Sequence, residues 1–279
     1  MKTIIITFLI ILRTFSQLTA QKVPFGMITV GENLYVDQSE ITVGHWLVFY
    51  YYSNNSNTPI PNEKLLPQFD SMAKMKYEYL FNSTQRKFEL VTTKYSYGYE
   101  NLKLPIPIDS TLTVKQKKKY LRSLDVLEFP INNISFEQAI EFCEWRTKLE
   151  NEFRLKLGLS EIKYKLPSIE QFQIYNIPFD SIIVKKADTI TTINCRNAYN
   201  KKNTQIGKYI VKINSFFSSP LGIYDSQGNV SEMTSVEGIA IGGSYYHDYN
   251  ATLGKEIQKY ENPEPWLGFR CIAYYERKK

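Results

Sequence analysis

The sequence predicts a loop-rich fold of short strands and a few helices, on three observations. Glycine turns punctuate the chain from about residue 190 onward, two Ser-x-x-Gln capping boxes precede apolar helical stretches, and a hairpin pattern stands near the N-terminus. At 279 residues, one or two domains are expected. A hydrophobic content of 43% with 22% charged residues excludes global disorder, collagen-like repeats and a long coiled coil. No apolar run reaches the ~18 residues of a membrane span. Two His and three Cys exclude a zinc array or a multi-His oxidase centre built from this chain alone.

The first segment reads as an export signal. Lys2 precedes the apolar run 4–12, which is too short to span a bilayer, and Leu18-Thr19-Ala20 offers a small residue before a cut. Residues 1–20 are therefore expected to be a cleaved signal peptide, with the mature protein periplasmic or extracellular. No Cys lies near the cut, which argues against a lipid anchor. Loss of Lys2 and Arg13 lowers the formal charge from +6 to +4, too mild to imply a nucleic-acid partner. Outside the cytoplasm a suitable cysteine pair becomes a disulfide, and an odd count predicts one pair and one leftover thiol. Cys143, Cys195 and Cys271 are the candidates.

The elements follow in order. Residues 27–30 and 34–37 read as strands about the turn Gly31-Glu32-Asn33. Thr42 can cap a helix that carries Trp46, Leu47, Phe49 and Tyr50. His45, at its start, reads as a packing or capping residue. Residues 53–61, rich in Asn, Ser and Pro, read as a loop. Residues 63–127 combine Tyr-rich pieces with the basic run 115–119 and read as a long insertion; the run is expected to be a solvated helix face. Ser135 with Gln138 opens the clearest helix, with Phe136, Ala139, Ile140, Cys143 and Leu149 as its apolar stripe and Gly158 as its stop. Ser168 with Gln171 opens a shorter one.

The turns carry a resemblance. Residues 222–233, GIYDSQGNVSEM, resemble the GLYDMxGNVWEW signature of the formylglycine-generating enzyme (sulfatase-modifying factor) family. Four further segments agree in order: YVDQSEITV at 35–43, residues 129–145 against hPVxxVSWxDAxAYCxW, YKLPSIEQF at 164–172, and Gly242-Gly243-Ser244-Tyr245 with Gly268-Phe269-Arg270-Cys271 against GGSW…GFRC. The resemblance implies one α+β domain over residues 21–279, related to the C-type lectin fold, with 63–127 as an insertion. The rigid donor fork of Arg270 is expected to act as a structural tie rather than a ligand contact.

The resemblance also implies what to expect of the site. Family enzymes oxidise a sulfatase cysteine with copper held by two cysteines after GGS; those positions fall on His247 and Thr252, so no copper is expected. His247 with Asp248 could form an acid–base or metal pair, or be simply solvated. Ser244 has neither a nucleophile-elbow motif nor an evident base. The family's disulfide would join Cys143 to Cys271 and leave Cys195 free. A structural calcium would be held by Asp225 and Glu232 through carboxylates and by Gly228 and Val230 through carbonyls. A second calcium site would fall near Asn197 and Ala198. Two functions follow as expectations. The first is a secreted, non-catalytic binding or assembly module with a protein partner in the cell envelope, similar to gliding-motility and secretion-associated members of Bacteroidetes. The alternative is a metal-dependent oxidoreductase with an altered centre.

Overall fold

A computed structural model describes residues 23–53, 128–177, 193–196, 207–216 and 218–276. The expected signal peptide at 1–20, the loop after Ser53, the insertion at 63–127 and the second calcium position at Asn197 and Ala198 lie outside the described residues. Among the described residues, no helix is long and apolar enough to cross a membrane.

Among the described residues, two four-stranded sheets organise the domain. Strands β1 (Met27–Gly31) and β2 (Leu34–Asp37) form the expected antiparallel hairpin. The last strand, β8 (Ile272–Tyr275), runs between β2 and β3 (Ile162–Lys165), giving the order β1-β2-β8-β3. Asn33 fixes the hairpin tip to β8: its Nδ2 donates to the Tyr275 carbonyl at 2.9 Å and its Oδ1 accepts the Tyr275 N–H at 2.9 Å. The second sheet is ordered β6-β5-β4-β7, from β4 (Ser231–Met233), β5 (Ile239–Ile241), β6 (Gln258–Lys259) and β7 (Leu267–Gly268). Its β4 and β7 are parallel, and the others pair antiparallel. Strands this short agree with the closely spaced glycine turns.

The expected caps form. Helix α1 (Val43–Tyr52) starts at Thr42, whose Oγ1 accepts the His45 N–H while His45 Nδ1 accepts the Thr42 N–H, both at 3.2 Å. His45 thus fills the place that Glu or Gln takes in an ordinary capping box. Ser135 and Gln138 close the box of α2 (Phe136–Lys156), and Ser168 and Gln171 that of α3 (Ile169–Tyr175). A short α4 spans Tyr249–Thr252.

One expectation about α2 is corrected. Leu149 is 42% exposed, while the buried face carries Gln138, Ala139, Phe142, Cys143 and Arg154. The inward row continues through Arg146, Glu150 and Arg154 at spacings of three and four, so apolar periodicity loses it after Cys143. Arg154 is held inside by bonds to the Ser160 carbonyl at 2.6 Å and the Tyr275 hydroxyl at 2.8 Å. Phe142 lies at the core centre, stacked on Trp46 at 5.8 Å and edge-on to Phe269 at 5.4 Å.

Candidate functional site

The turn between Asp225 and Glu232 departs from ordinary backbone. Asp225, Gly228 and Asn229 have φ of +53°, +85° and +60°. A Cβ on Gly228 would lie 2.5 Å from the Asn194 carbonyl oxygen, so only glycine lets the turn press against residues 193–195. Asn229 is the hub. Its N–H donates to the Asn194 carbonyl at 2.8 Å, its Oδ1 accepts the Val211 N–H at 2.9 Å, and its Nδ2 donates to Glu40 at 3.1 Å and to the Val211 carbonyl at 3.2 Å.

Behind the hub lies a buried charge network. Arg270 is fully buried and donates from Nε to Glu232 Oε1 at 2.7 Å, from Nη1 to the Asp37 carbonyl at 3.0 Å and from Nη2 to the Tyr224 carbonyl at 2.8 Å. The expected structural tie is present. Glu232 Oε2 accepts the Tyr175 hydroxyl at 3.1 Å. Three buried carboxylates, Glu40, Asp225 and Glu232, thus face one guanidinium. Burial, aided by the Asp225 carboxylate, holds the Glu40 carboxyl well above the usual carboxylate range. Burial pushes Asp225 up to about 7, against the opposing pull of the Asn214 N–H bond and Arg270. Burial also raises Glu232, with Arg270 opposing it.

The four expected calcium donors therefore lie in one turn and the strand it feeds. The donor chemistry suits a hard cation in three respects. The network sets three buried carboxyl groups, Glu40, Asp225 and Glu232, against one guanidinium, and a bound cation would favour their ionised forms. Asp225 Oδ2 accepts only the Asn214 N–H, at 2.7 Å, and its Oδ1 accepts no hydrogen bond among the described residues. Each Glu232 oxygen accepts one bond and keeps a second lone pair. Between them, Gln227 is buried with both amide atoms unpartnered among the described residues, an arrangement that a hydrated cation would relieve. Among the described residues, no three His, Cys, Asp or Glu side chains could hold a metal by themselves, so carbonyl oxygens would be essential to any such site.

The two positions that the resemblance aligns with the family's copper cysteines, His247 and Thr252, sit in local contacts of their own. His247 Nδ1 lies 2.7 Å from Ser244 Oγ, whose lone pair also accepts the Tyr246 N–H at 3.1 Å. The imidazole stands edge-on to Trp266 at 4.8 Å. Burial, then Arg196, pulls the His247 pKa below its ordinary value. Asp248 turns away from His247 to make a two-pronged pair with Arg196, at 2.8 and 3.0 Å. Thr252 is fully buried, with its hydroxyl donated to the Tyr249 carbonyl at 2.7 Å. Gly243, at φ +63°, lets Thr252 close in: a Cβ there would lie 2.9 Å from Thr252 N. The structure thus places beside Ser244 an imidazole that the sequence did not reveal as its partner. Yet Ser244 is fully buried, so the contact is a structural tie and not an accessible nucleophile.

Cys143 and Cys271 come together as the family motif implied, with Sγ atoms 3.6 Å apart. That exceeds the ~2.05 Å of a disulfide, and both are free thiols here, so the expected bond is absent while its two partners are in place. Cys195 is buried elsewhere, its thiol pushed up to about 11 by burial.

Fold and site define an α+β domain of short strands whose glycine turns fold over a buried ionic network. A family model, described as "Sulfatase-modifying factor enzyme 1-like domain", matches residues 14–274. The chain belongs to that family. Among solved structures it is similar to CarF, at 18% identity and TM-score 0.39, over 55% of this chain and 70% of that one. It is also similar to PvdO from Pseudomonas aeruginosa, at 14% and 0.38, over 53% and 63%. A third is Treponema denticola variable protein 1, at 12% and 0.42, over 87% and 84%. No curated protein matches.

Proposed function

We propose that this chain is an exported, non-catalytic member of the family, serving as a binding or assembly module for a protein partner in the cell envelope, in the manner expected of gliding-motility and secretion-associated members. The observation that carries the reading is the pair of copper positions. A soft copper(I) centre needs thiolates. Here one position is an imidazole bonded to Ser244 and the other a buried hydroxyl bonded to a helix carbonyl. We also propose that the turn holds a structural calcium through Asp225, Gly228, Val230 and Glu232, and that Cys143 and Cys271 join as a disulfide after export.

The test is turnover. The purified protein, loaded with copper and given a sulfatase-type cysteine peptide, is expected to produce no aldehyde. Aldehyde formation above background would overturn the reading in favour of the oxidoreductase.

A further inference from the structure

We infer that a cavity bounded by α1, α2 and the end of β2 binds a free α-amino acid with an apolar side chain. The cavity has a volume of about 250 Å³ and shares no residue with the turn at 225–232 or the segment 244–252. Ligand pockets commonly measure ~300–1,000 Å³, so this one selects a small ligand. Ile41, Phe142, Trp145 and Leu149 form its apolar wall.

Its polar edge carries both signs of charge. Arg146 donates from Nη1 to Asp37 Oδ2 at 2.8 Å and lies over the Tyr164 ring at 4.3 Å. Those two contacts fix the guanidinium plane yet use one of its five N–H groups. The Nε and Nη2 donors have no partner among the described residues, and the side chain is 19% exposed. Asp37 has the complementary vacancy. Its Oδ2 accepts both Arg146 and the Cys271 N–H at 2.9 Å, while Oδ1 accepts nothing among the described residues. The Asp37 side chain is only 6% exposed, yet its unpartnered oxygen is not fully enclosed and so remains within reach of a ligand in the cavity. Glu150, paired with Arg154 at 3.3 Å, adds a second carboxylate to the lining.

A simple anion would meet Asp37 and Glu150, and a simple cation would meet Arg146. A zwitterion satisfies both poles: its carboxylate takes the free guanidinium donors, and its ammonium group donates to the unspent carboxylate oxygen. The aromatic and aliphatic wall is then left for an apolar side chain. A free amino acid has both charges on one carbon, matching poles that are themselves in contact. A peptide's first residue lacks the carboxylate, and its last residue lacks the ammonium.

Isothermal calorimetry on the full mature chain tests this with L-leucine and L-phenylalanine, beside their amides and N-acetyl derivatives. Both free amino acids are expected to bind saturably. Each blocked form should bind at least roughly tenfold more weakly, the loss expected for one charge-assisted hydrogen bond. Arg146→Gln should abolish binding. Leu149→Asp, at an exposed rim position, should weaken it while leaving the unliganded melting temperature near the parent's, and so covers the case in which the Arg146 variant does not fold. No saturable heat with either amino acid at millimolar concentration overturns the inference. So does equal binding of an amide or N-acetyl form, which would point to a peptide terminus, or binding unchanged in both variants.

Discussion

The segments 225–232 and 244–252 are neighbours in sequence and solve their polar chemistry in opposite ways. In the first, charged and polar groups are carried into the interior and matched over long sequence distances: Arg270 reaches Glu232 and the Asp37 and Tyr224 carbonyls, and Asn229 reaches Glu40. In the second, the buried hydroxyls are satisfied within a turn, Ser244 by His247 and Thr252 by Tyr249, and the one charge, Asp248, is paired at the exposed surface with Arg196. A long-range network of buried charge fails as a unit when one member is removed. A local hydroxyl tie leaves behind groups that water or the helix can satisfy. The first segment thus ties distant parts of the fold together through Arg270 and Asn229, while His247 and Thr252 sit in local hydroxyl ties.

The largest effect sharpens the framework side of that contrast. If Cys143 and Cys271 join, their 128-residue separation should contribute about 4–5 kcal/mol in the chain-entropy model. Non-reducing thiol titration of unfolded mature protein should find one reactive thiol, Cys195, and three after reduction. Three before reduction would break the claim. Next is Arg270→Met, which strands Glu232 in the interior and should cost roughly 3–5 kcal/mol in urea unfolding. Adding Glu232→Gln should recover part of the loss. An Arg270→Met protein as stable as the parent would erase the distinction between the two segments.

Calcium comes third. Chelation should lower the melting temperature, by an amount corresponding to about 2.7 kcal/mol if calcium was present at a hundred times its dissociation constant. The double change Asp225→Ala with Glu232→Ala should remove that sensitivity. The smallest effect lies in the second segment. His247→Ala should cost about 1 kcal/mol, the net value of one hydrogen bond. Its sign with pH is fixed by the lowered pKa of His247. The neutral imidazole stabilises the fold above its unfolded pKa of about 6.5, and that contribution fades as pH falls through that value toward the lower folded one. The stability difference between parent and variant should therefore shrink on acidification; a difference growing below pH 6 would contradict the assignment.

Much of this architecture was legible in the residues. The hairpin and the three helix starts follow from turn chemistry and capping boxes, which are local signals, whereas the approach of Cys143 to Cys271 was legible only through the family resemblance. What stayed hidden was long-range or polar. Glu40 and Asn229 gave no sign of meeting, because a buried Asn–Glu contact 189 residues apart has no periodicity. The inward row Arg146, Glu150 and Arg154 escaped for a related reason: apolar patterning is blind to buried charges that neutralise one another. Sequence adjacency alone would let His247 pair with Asp248, yet the turn sends that carboxylate to Arg196 and the imidazole to Ser244.

Metal content decides the central claim most directly. Elemental analysis of the protein purified from its native compartment, without added metal, should find about one calcium per chain and no stoichiometric copper or iron. Stoichiometric copper or iron would contradict the account, because it would mean that a redox centre forms although the positions aligned with the family's copper cysteines carry His247 and Thr252.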